Sequence, residues 1–394
     1  MIYSYITHSP FTARDAQRYG INFFLSKGYK VIVIDVTYYT NKELRDTLGE
    51  QYTINHPNIK IYYPKDFLEF KESSCFLKNG DIALLALGNN YQNIKVKKYL
   101  KAKGLKIGLI QAALLPPIIT SKVGFINKVK KTINRLHQTK LIYIIMKFFD
   151  IIYKKINNVN EYDFIITNNF NTFQKENAHI LSNTVIEAQS LDSDRVLELK
   201  EKKYENERKY IVFLDQYLTG HTDFIRMGVE FPVTKEKYFP SLFNFFEKIE
   251  KKYGHEIIIA LHPRTDDEYK SMFKNYKTEI FKSEILVKNA EFVITHFSTA
   301  INFAVIYEKP IYFIITNEMK DTYQSTKEAK CYSSVLGRNC INIDKIDSLP
   351  LLEKIDKSKY FDYKEKYIKK EDLPDRTIWE SFLEMYIKKD NNDT

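Results

Sequence analysis

The chain has 394 residues, 44% of them hydrophobic, which is enough for two globular domains with separate cores. Its net charge of +10, from 60 basic against 50 acidic residues, is spread along the chain and does not form a nucleic-acid-binding tail. Three scattered cysteines, Cys75, Cys331 and Cys340, exclude a disulfide framework, and no Cys/His spacing suits zinc, so a reducing cytoplasm fits.

The opening residues, MIYSYITHSPFTARD, lack a basic stretch followed by an apolar one, so no export signal is expected. No apolar run is long enough to span a bilayer. IYSYIT reads as a strand, SPFTARDAQRYGINFFLSKG as a helix ended by Gly28, and YKVIVIDV as a second strand. Further strands are expected at 59–63, 81–87 and 105–110, with a helix over 94–103. Strands alternating with helices predict a parallel sheet covered on both faces.

From 122 to 156, lysines such as Lys128, Lys130 and Lys131 interleave with apolar residues such as Ile126, Val129 and Ile133. Such a basic amphipathic segment either covers the sheet or docks on an anionic membrane surface. Strands at 162–167 and near Val185 complete a first Rossmann-like domain over 1–190, and the charged stretch 191–208 reads as a helix or linker leading into a new domain. A second α/β domain spans 209–345, with strands in KYIVFLDQY, HEIIIALHPR, AEFVIT and KPIYFII and a long helix through SLFNFFEKIEKKYG. Helices in 346–394, carrying the only tryptophan, Trp379, are expected to pack back on the first domain.

In an open parallel sheet, ligands bind beyond the carboxyl ends of the strands. Asp215 ends one strand, with Gly220 and His221 in the following loop; a carboxylate there could act as a base or cap a turn. Pro263 stops the strand IIIAL and holds His262 extended, which aims the imidazole and Arg264 at a bound anion; the alternative is a histidine that caps the next helix. His296 precedes Ser298 and Thr299, expected at a helix N-terminus, where free N–H groups favour a phosphate, although both are ordinary N-caps. In the first domain, His8 and Ser9 follow a strand and would face a cleft, while Thr12 and Asp15 form a capping-box pair. Asp192-Ser193-Asp194 has the DxD pattern of metal-dependent sugar-nucleotide enzymes but follows no apolar strand, so it reads as a helix start. Phosphate-binding loops, dinucleotide fingerprints, nucleophile elbows and HExxH are absent.

The pairing of His262-Pro263 with Ser298-Thr299 in a second Rossmann-like domain resembles bacterial GT-B glycosyltransferases of the sialyltransferase and capsule-polysaccharide type. The resemblance is loose over the whole chain and closer over 209–315. It implies an α/β GT-B fold, two Rossmann-like domains facing each other across a cleft, the first (1–190) for the acceptor and the second (209–345) for the nucleotide sugar. It also implies a cytoplasmic enzyme, peripheral on the inner face of the membrane if the basic segment docks, that transfers a sugar from a CMP donor. The expected donor is a sialic-acid-like nonulosonate or Kdo, and the expected acceptor a surface glycan or lipid-linked molecule.

The resemblance further implies that His262 contacts the donor phosphate and helps CMP leave, that Ser298 and Thr299 bind the same phosphate, and that Asp215 is the base. Gln216 replaces the second acid of the family's acidic motif, and Gly220 is displaced from its usual place. Pro263, Arg264 and His296 complete the expected donor site; His8, Ser9, Asp15 and His221 are the acceptor or cleft candidates. No metal, cofactor or nucleic-acid partner is expected. Two rival readings are a teichoic-acid-type transfer of polyol phosphate from a CDP donor, and a non-catalytic membrane-docking scaffold for polysaccharide assembly.

Overall fold

The computed structural model describes residues 1–41, 52–88, 90–117, 160–199, 209–221, 224, 230–321 and 323–387. The basic segment 122–156, the end of the expected linker and the polar tail lie outside these residues. The chain divides into two compact units. One comprises Met1–Ala112, Thr120–Ala188 and Thr377–Thr394; the other comprises Ala113–Ile119 and Gln189–Arg376.

The first unit is built on β1 (Ile2–Thr7), β2 (Lys30–Asp35), β3 (Ile59–Tyr62), β4 (Ile82–Ala86), β5 (Lys106–Gln111), β6 (Glu161–Thr167) and β7 (Leu181–Glu187). All pair in parallel, in the order β3-β2-β1-β4-β5-β6-β7. Apolar runs such as VIVI in β2 are buried along their whole length because helices cover both faces. The helix expected over 9–28 is two short helices, α1 (Ala13–Arg18) and α2 (Ile21–Ser26). Gly20 separates them with φ +76, a conformation that favours glycine, and a Cβ there would stand 2.7 Å from Trp379. The Trp379 indole occupies that space and donates to Arg18 O at 3.2 Å.

The second unit contains β8 (Tyr210–Leu214), β9 (Glu256–Leu261), β10 (Lys277–Ile280), β11 (Val293–Thr295), β12 (Ile311–Ile315) and β13 (Cys340–Asn342). The order is β10-β9-β8-β11-β12-β13, again all parallel. Helix α3 (Lys235–Tyr253) buries Tyr238, Phe239, Leu242, Phe245, Phe246 and Ile249, a helically spaced stripe that faces the core. Each such side chain contributes about 1.5–3 kcal/mol on burial. Gly254, with φ +68, ends the helix.

Two boundaries differ from the sequence expectation. The second unit begins at Gln189, ahead of 191–208, which opens with the helix read there as the alternative to a linker, Leu191–Glu198, whose Asp192 accepts from Asn302 Nδ2 at 2.8 Å. Residues 346–376 group with the second unit and only 377–394 with the first. Helix Lys357–Tyr367 stays in the second unit because Tyr363 donates to Asn302 Oδ1 (2.9 Å) and Tyr360 to Lys309 O (2.8 Å).

Candidate functional site

In the second unit the strand order reverses between β8 and β11, so the crevice at their carboxyl ends is the place where such sheets take ligands. Leu214 pairs with Ala260 of β9 and Thr295 of β11. Continuing that register brings Asp215, His262 and the His296–Ser298 segment to one edge.

Asp215 lies beneath the loop, 4% exposed. Its Oδ1 accepts from Tyr269 Oη (2.7 Å) and Tyr217 N–H (3.2 Å), and its Oδ2 from His262 N–H (3.4 Å). Burial pushes its pKa up to about 6 despite those donors. Asp266 mirrors it: its Oδ1 caps the helix Asp267–Met272 by accepting from Tyr269 N–H (2.7 Å), and its Oδ2 accepts from Tyr217 Oη. Two tyrosines and two aspartates thus lock the loop after β8 to the loop after β9. Gly220 packs against the Tyr217 ring, where a Cβ would come within 2.3 Å.

The lock sets two imidazoles together. His221 Nε2 and His262 Nε2 are 3.3 Å apart. His262 Nδ1 accepts the Arg264 N–H (3.2 Å), so in the neutral ring the proton sits on Nε2, which donates to His221 Nε2. His262 therefore does not cap the helix that follows; Asp266 does. Pro263 and Arg264 are exposed at the turn, which closes with Thr265 N–H to His262 O at 2.9 Å.

Several expectations are corrected. Asp215, expected as the base, is enclosed: it is 4% exposed and its carboxylate takes three donors from the chain. His296 is fully buried: its Nδ1 bonds Ile314 O (2.7 Å) and its Nε2 bonds Tyr238 Oη (2.9 Å). Burial pulls its pKa down to about 4, so it is a neutral structural link between α3 and β12 that reaches no donor. The helix after β11 begins at Ile301 with Ala300 as its cap position, two residues after Ser298 and one after Thr299. Ser298 Oγ accepts the Ala300 N–H (3.2 Å) in the turn before it, and Thr299 is exposed there.

In the first unit, Asp15 closes the capping box, taking Thr12 N–H (2.9 Å) and Thr12 Oγ1 (2.6 Å), which accounts for it without a ligand. Ser9 turns the chain after β1, its N–H bonding Thr7 Oγ1 at 3.1 Å. His8 follows β1 at the first sheet's own reversal between β1 and β4.

Sequence reading missed Gln216, whose four hydrogen bonds hold the reversal point of the second sheet. Its Nε2 donates to Leu214 O and Thr295 Oγ1 (both 2.8 Å), and its Oε1 accepts from the N–H groups of His296 and Phe297 (both 3.2 Å). Its position in place of an expected acid was the available signal. Among the described residues no group of three His, Cys, Asp or Glu side chains comes together to hold a metal, and no helix is long and apolar enough to cross a membrane.

No protein-family model matches the sequence, and no curated protein does. Solved structures match along its length. One variant of the wall teichoic acid polymerase TagF is similar at a TM-score of 0.52 and 11% identity, over 100% of this chain and 89% of that one. A UDP-N-acetylglucosamine 2-epimerase is similar at 0.52 and 10% identity, over 98% and 96%. A second TagF variant scores 0.50 at 12% identity, over 100% and 89%. None of these three is a sialyltransferase. Such identities speak for the fold alone, and the two parallel sheets with flanking helices agree: the chain has the two-domain α/β fold of GT-B proteins.

Proposed function

We propose that the protein is a transferase that uses a cytidine-nucleotide-activated donor and carries its proton chemistry on the His221–His262 pair. The observation that carries this reading is that pair, held 3.3 Å apart by the buried Asp215 beneath. In the reaction as proposed, His262 Nε2–H donates to a phosphate oxygen of the donor as the nucleotide leaves. Arg264 balances the same anion. His221 Nε2, released from the bond to its partner, accepts the proton of the acceptor hydroxyl. Paired acid and base work of this kind accounts for about 10²–10⁴-fold in rate. None of these steps calls for a metal.

With Asp215 enclosed, the base is a histidine, which favours transfer of polyol phosphate from a CDP donor; a likeness in fold to a wall teichoic acid polymerase supports the same choice. The acceptor hydroxyl then attacks phosphorus, a phosphodiester forms, and CMP departs. The second reading, transfer of a nonulosonate or Kdo from its CMP-sugar, is supported by the His-Pro and Ser-Thr motifs. The acceptor in both is a surface glycan or lipid-linked molecule, reached at the inner membrane face if the basic segment docks there.

Both readings release CMP, so the donor panel must be read by product. Incubation with CDP-glycerol, CDP-ribitol, CMP-N-acetylneuraminate and CMP-Kdo, followed by phosphorus NMR, separates a phosphodiester from a glycoside. Turnover of a UDP- or GDP-sugar with no CMP release from any of the four would sink the cytidine assignment.

A further inference from the structure

The first sheet has a reversal point of its own, between β1 and β4. His8 follows β1 with its N–H on Ala86 O at 3.2 Å, and Gly88 follows β4. Gly88 lets two polar side chains close in: a Cβ there would stand 3.1 Å from His8 Cε1 and 3.4 Å from Asn93 Nδ2, so the imidazole and the amide lie against one glycine. Asn93 is in the first turn of a 12-residue helix, Tyr91–Ala102, whose cap Asn90 accepts the Asn93 N–H at 2.8 Å. The Asn93 side chain is 1% exposed, and neither Oδ1 nor Nδ2 has a hydrogen-bond partner.

Buried amides are almost always paired, because an open donor or acceptor forfeits its hydration. An asparagine with both ends open, at the edge where parallel sheets take ligands, marks a place whose partner comes from outside the chain. We infer that the first unit holds a second ligand site beside Gly88, in which Asn93 clasps a hydroxyl-bearing ligand, a sugar or polyol, through both amide atoms next to His8. A hydroxyl both donates and accepts, so adjacent hydroxyls satisfy Oδ1 and Nδ2 together. A phosphate would set acceptor against Oδ1, and an ammonium would set donor against Nδ2. The inference rests on the reading of the protein as a transferase and names the residues that would choose its hydroxylated partner.

Saturation-transfer NMR on the full chain, with glycerol, ribitol and methyl glycosides as probes, tests it. The wild type should receive transfer from at least one probe, and Asn93→Leu should lose at least about tenfold in that affinity, a difference well resolved by titration. The Leu variant should melt no lower than wild type, since replacing an unpaired buried amide by an apolar group of similar size is neutral or stabilising. Asn168→Leu is the control: this residue is also buried with both amide atoms open, but follows β6, two strands from β4, so polyol binding should survive there. If Asn93→Leu does not fold, the isosteric Asn93→Asp removes the donor and should give the same loss. No transfer from any neutral probe to the wild type overturns the inference. So does transfer that survives in the Asn93 variants, which would leave an ordered water as the occupant. CDP and CMP titrated in the same samples read the proposed transferase separately: lost nucleotide binding with retained polyol transfer sinks that reading and spares this one.

Discussion

The two sheets reverse at chemically matched places and finish them differently. In the second unit, the Gln216 amide makes all four of its hydrogen bonds to the chain. In the first, the Asn93 amide makes none. A satisfied amide fixes the loops around it before any ligand arrives, whereas an unsatisfied one leaves a local deficit that a ligand can make good. The second edge is thereby suited to chemistry, which needs groups placed in advance. The first is suited to selection by what fits.

The largest expected effect falls on the finished edge. His262→Ala should lower the rate of CMP release by about 10²–10⁴-fold, the usual contribution of a general acid, while nucleotide binding and thermal stability change little. A rate within threefold of wild type would remove the histidine pair from the mechanism. Next comes the amide itself. Gln216→Leu strands the N–H groups of His296 and Phe297, and with about 1–3 kcal/mol for each unmet group the loss should total about 2–6 kcal/mol in urea unfolding. A loss below about 1 kcal/mol would mean that Gln216 does not hold this edge.

Much of this arrangement was legible in the sequence, for identifiable reasons. The strands β2, β4, β8, β9 and β12 carry continuous apolar runs, as buried parallel strands do, and Pro263 marks where β9 stops. The edge strand β10, KTEI, was not legible because its residues are exposed or half-buried and show no apolar run. Gly20 read as an interior helix residue because its neighbours keep a helical pattern across it, while the Trp379 ring packed against it lies 359 residues away in the chain. At the site, strand ends nominated His262 and His221 separately. Their pairing depends on the crossed bonds of Tyr217 and Tyr269 to Asp266 and Asp215, and no local pattern encodes contacts between residues 49 and 54 apart. The same limit explains Asp215 and His296: both occupy strand ends that nominate ligand contacts, but whether a strand-end side chain turns outward or under the loop is decided by neighbouring strands.

These two buried groups give the finished edge a characteristic pH response. His296 has a folded pKa near 4, below the ordinary 6.5, so the unfolded chain binds the extra proton between those values and stability from this group is lost as pH falls from 6.5 to 4. Asp215, raised from 3.8 to about 6, behaves oppositely: the folded chain binds the extra proton, and stability from this group is present below 3.8 and lost as pH rises through 6. Each amounts to about 3 kcal/mol, and across pH 4–6 they offset one another. The stability gap between wild type and His296→Gln should therefore widen by about 3 kcal/mol from pH 4 to 6.5, and the gap to Asp215→Asn should change in the other direction. Parallel gaps at all pH values would mean that neither group titrates in that range.

The smallest expected effect lies at the open edge. Gly88 has no positive φ, so Gly88→Ala strains no backbone and removes some freedom from the unfolded chain, a gain of about 0.4–1 kcal/mol. The added Cβ would press on His8 Cε1 at 3.1 Å and on Asn93 Nδ2 at 3.4 Å, so the imidazole must give by a few tenths of an ångström, at the low end of the about 1–3 kcal/mol that overpacking costs. Stability should then stay within about 1 kcal/mol of wild type in urea unfolding. Polyol binding should fall all the same, because the methyl group displaces the two polar side chains that would hold the ligand. The equivalent change at the finished edge, Gly220→Ala, sets a Cβ within 2.3 Å of the Tyr217 ring that carries the lock, and should cost stability first. If Gly88→Ala destabilised as much as Gly220→Ala, the open edge would be part of the packed core and the contrast between the two sheets would fail.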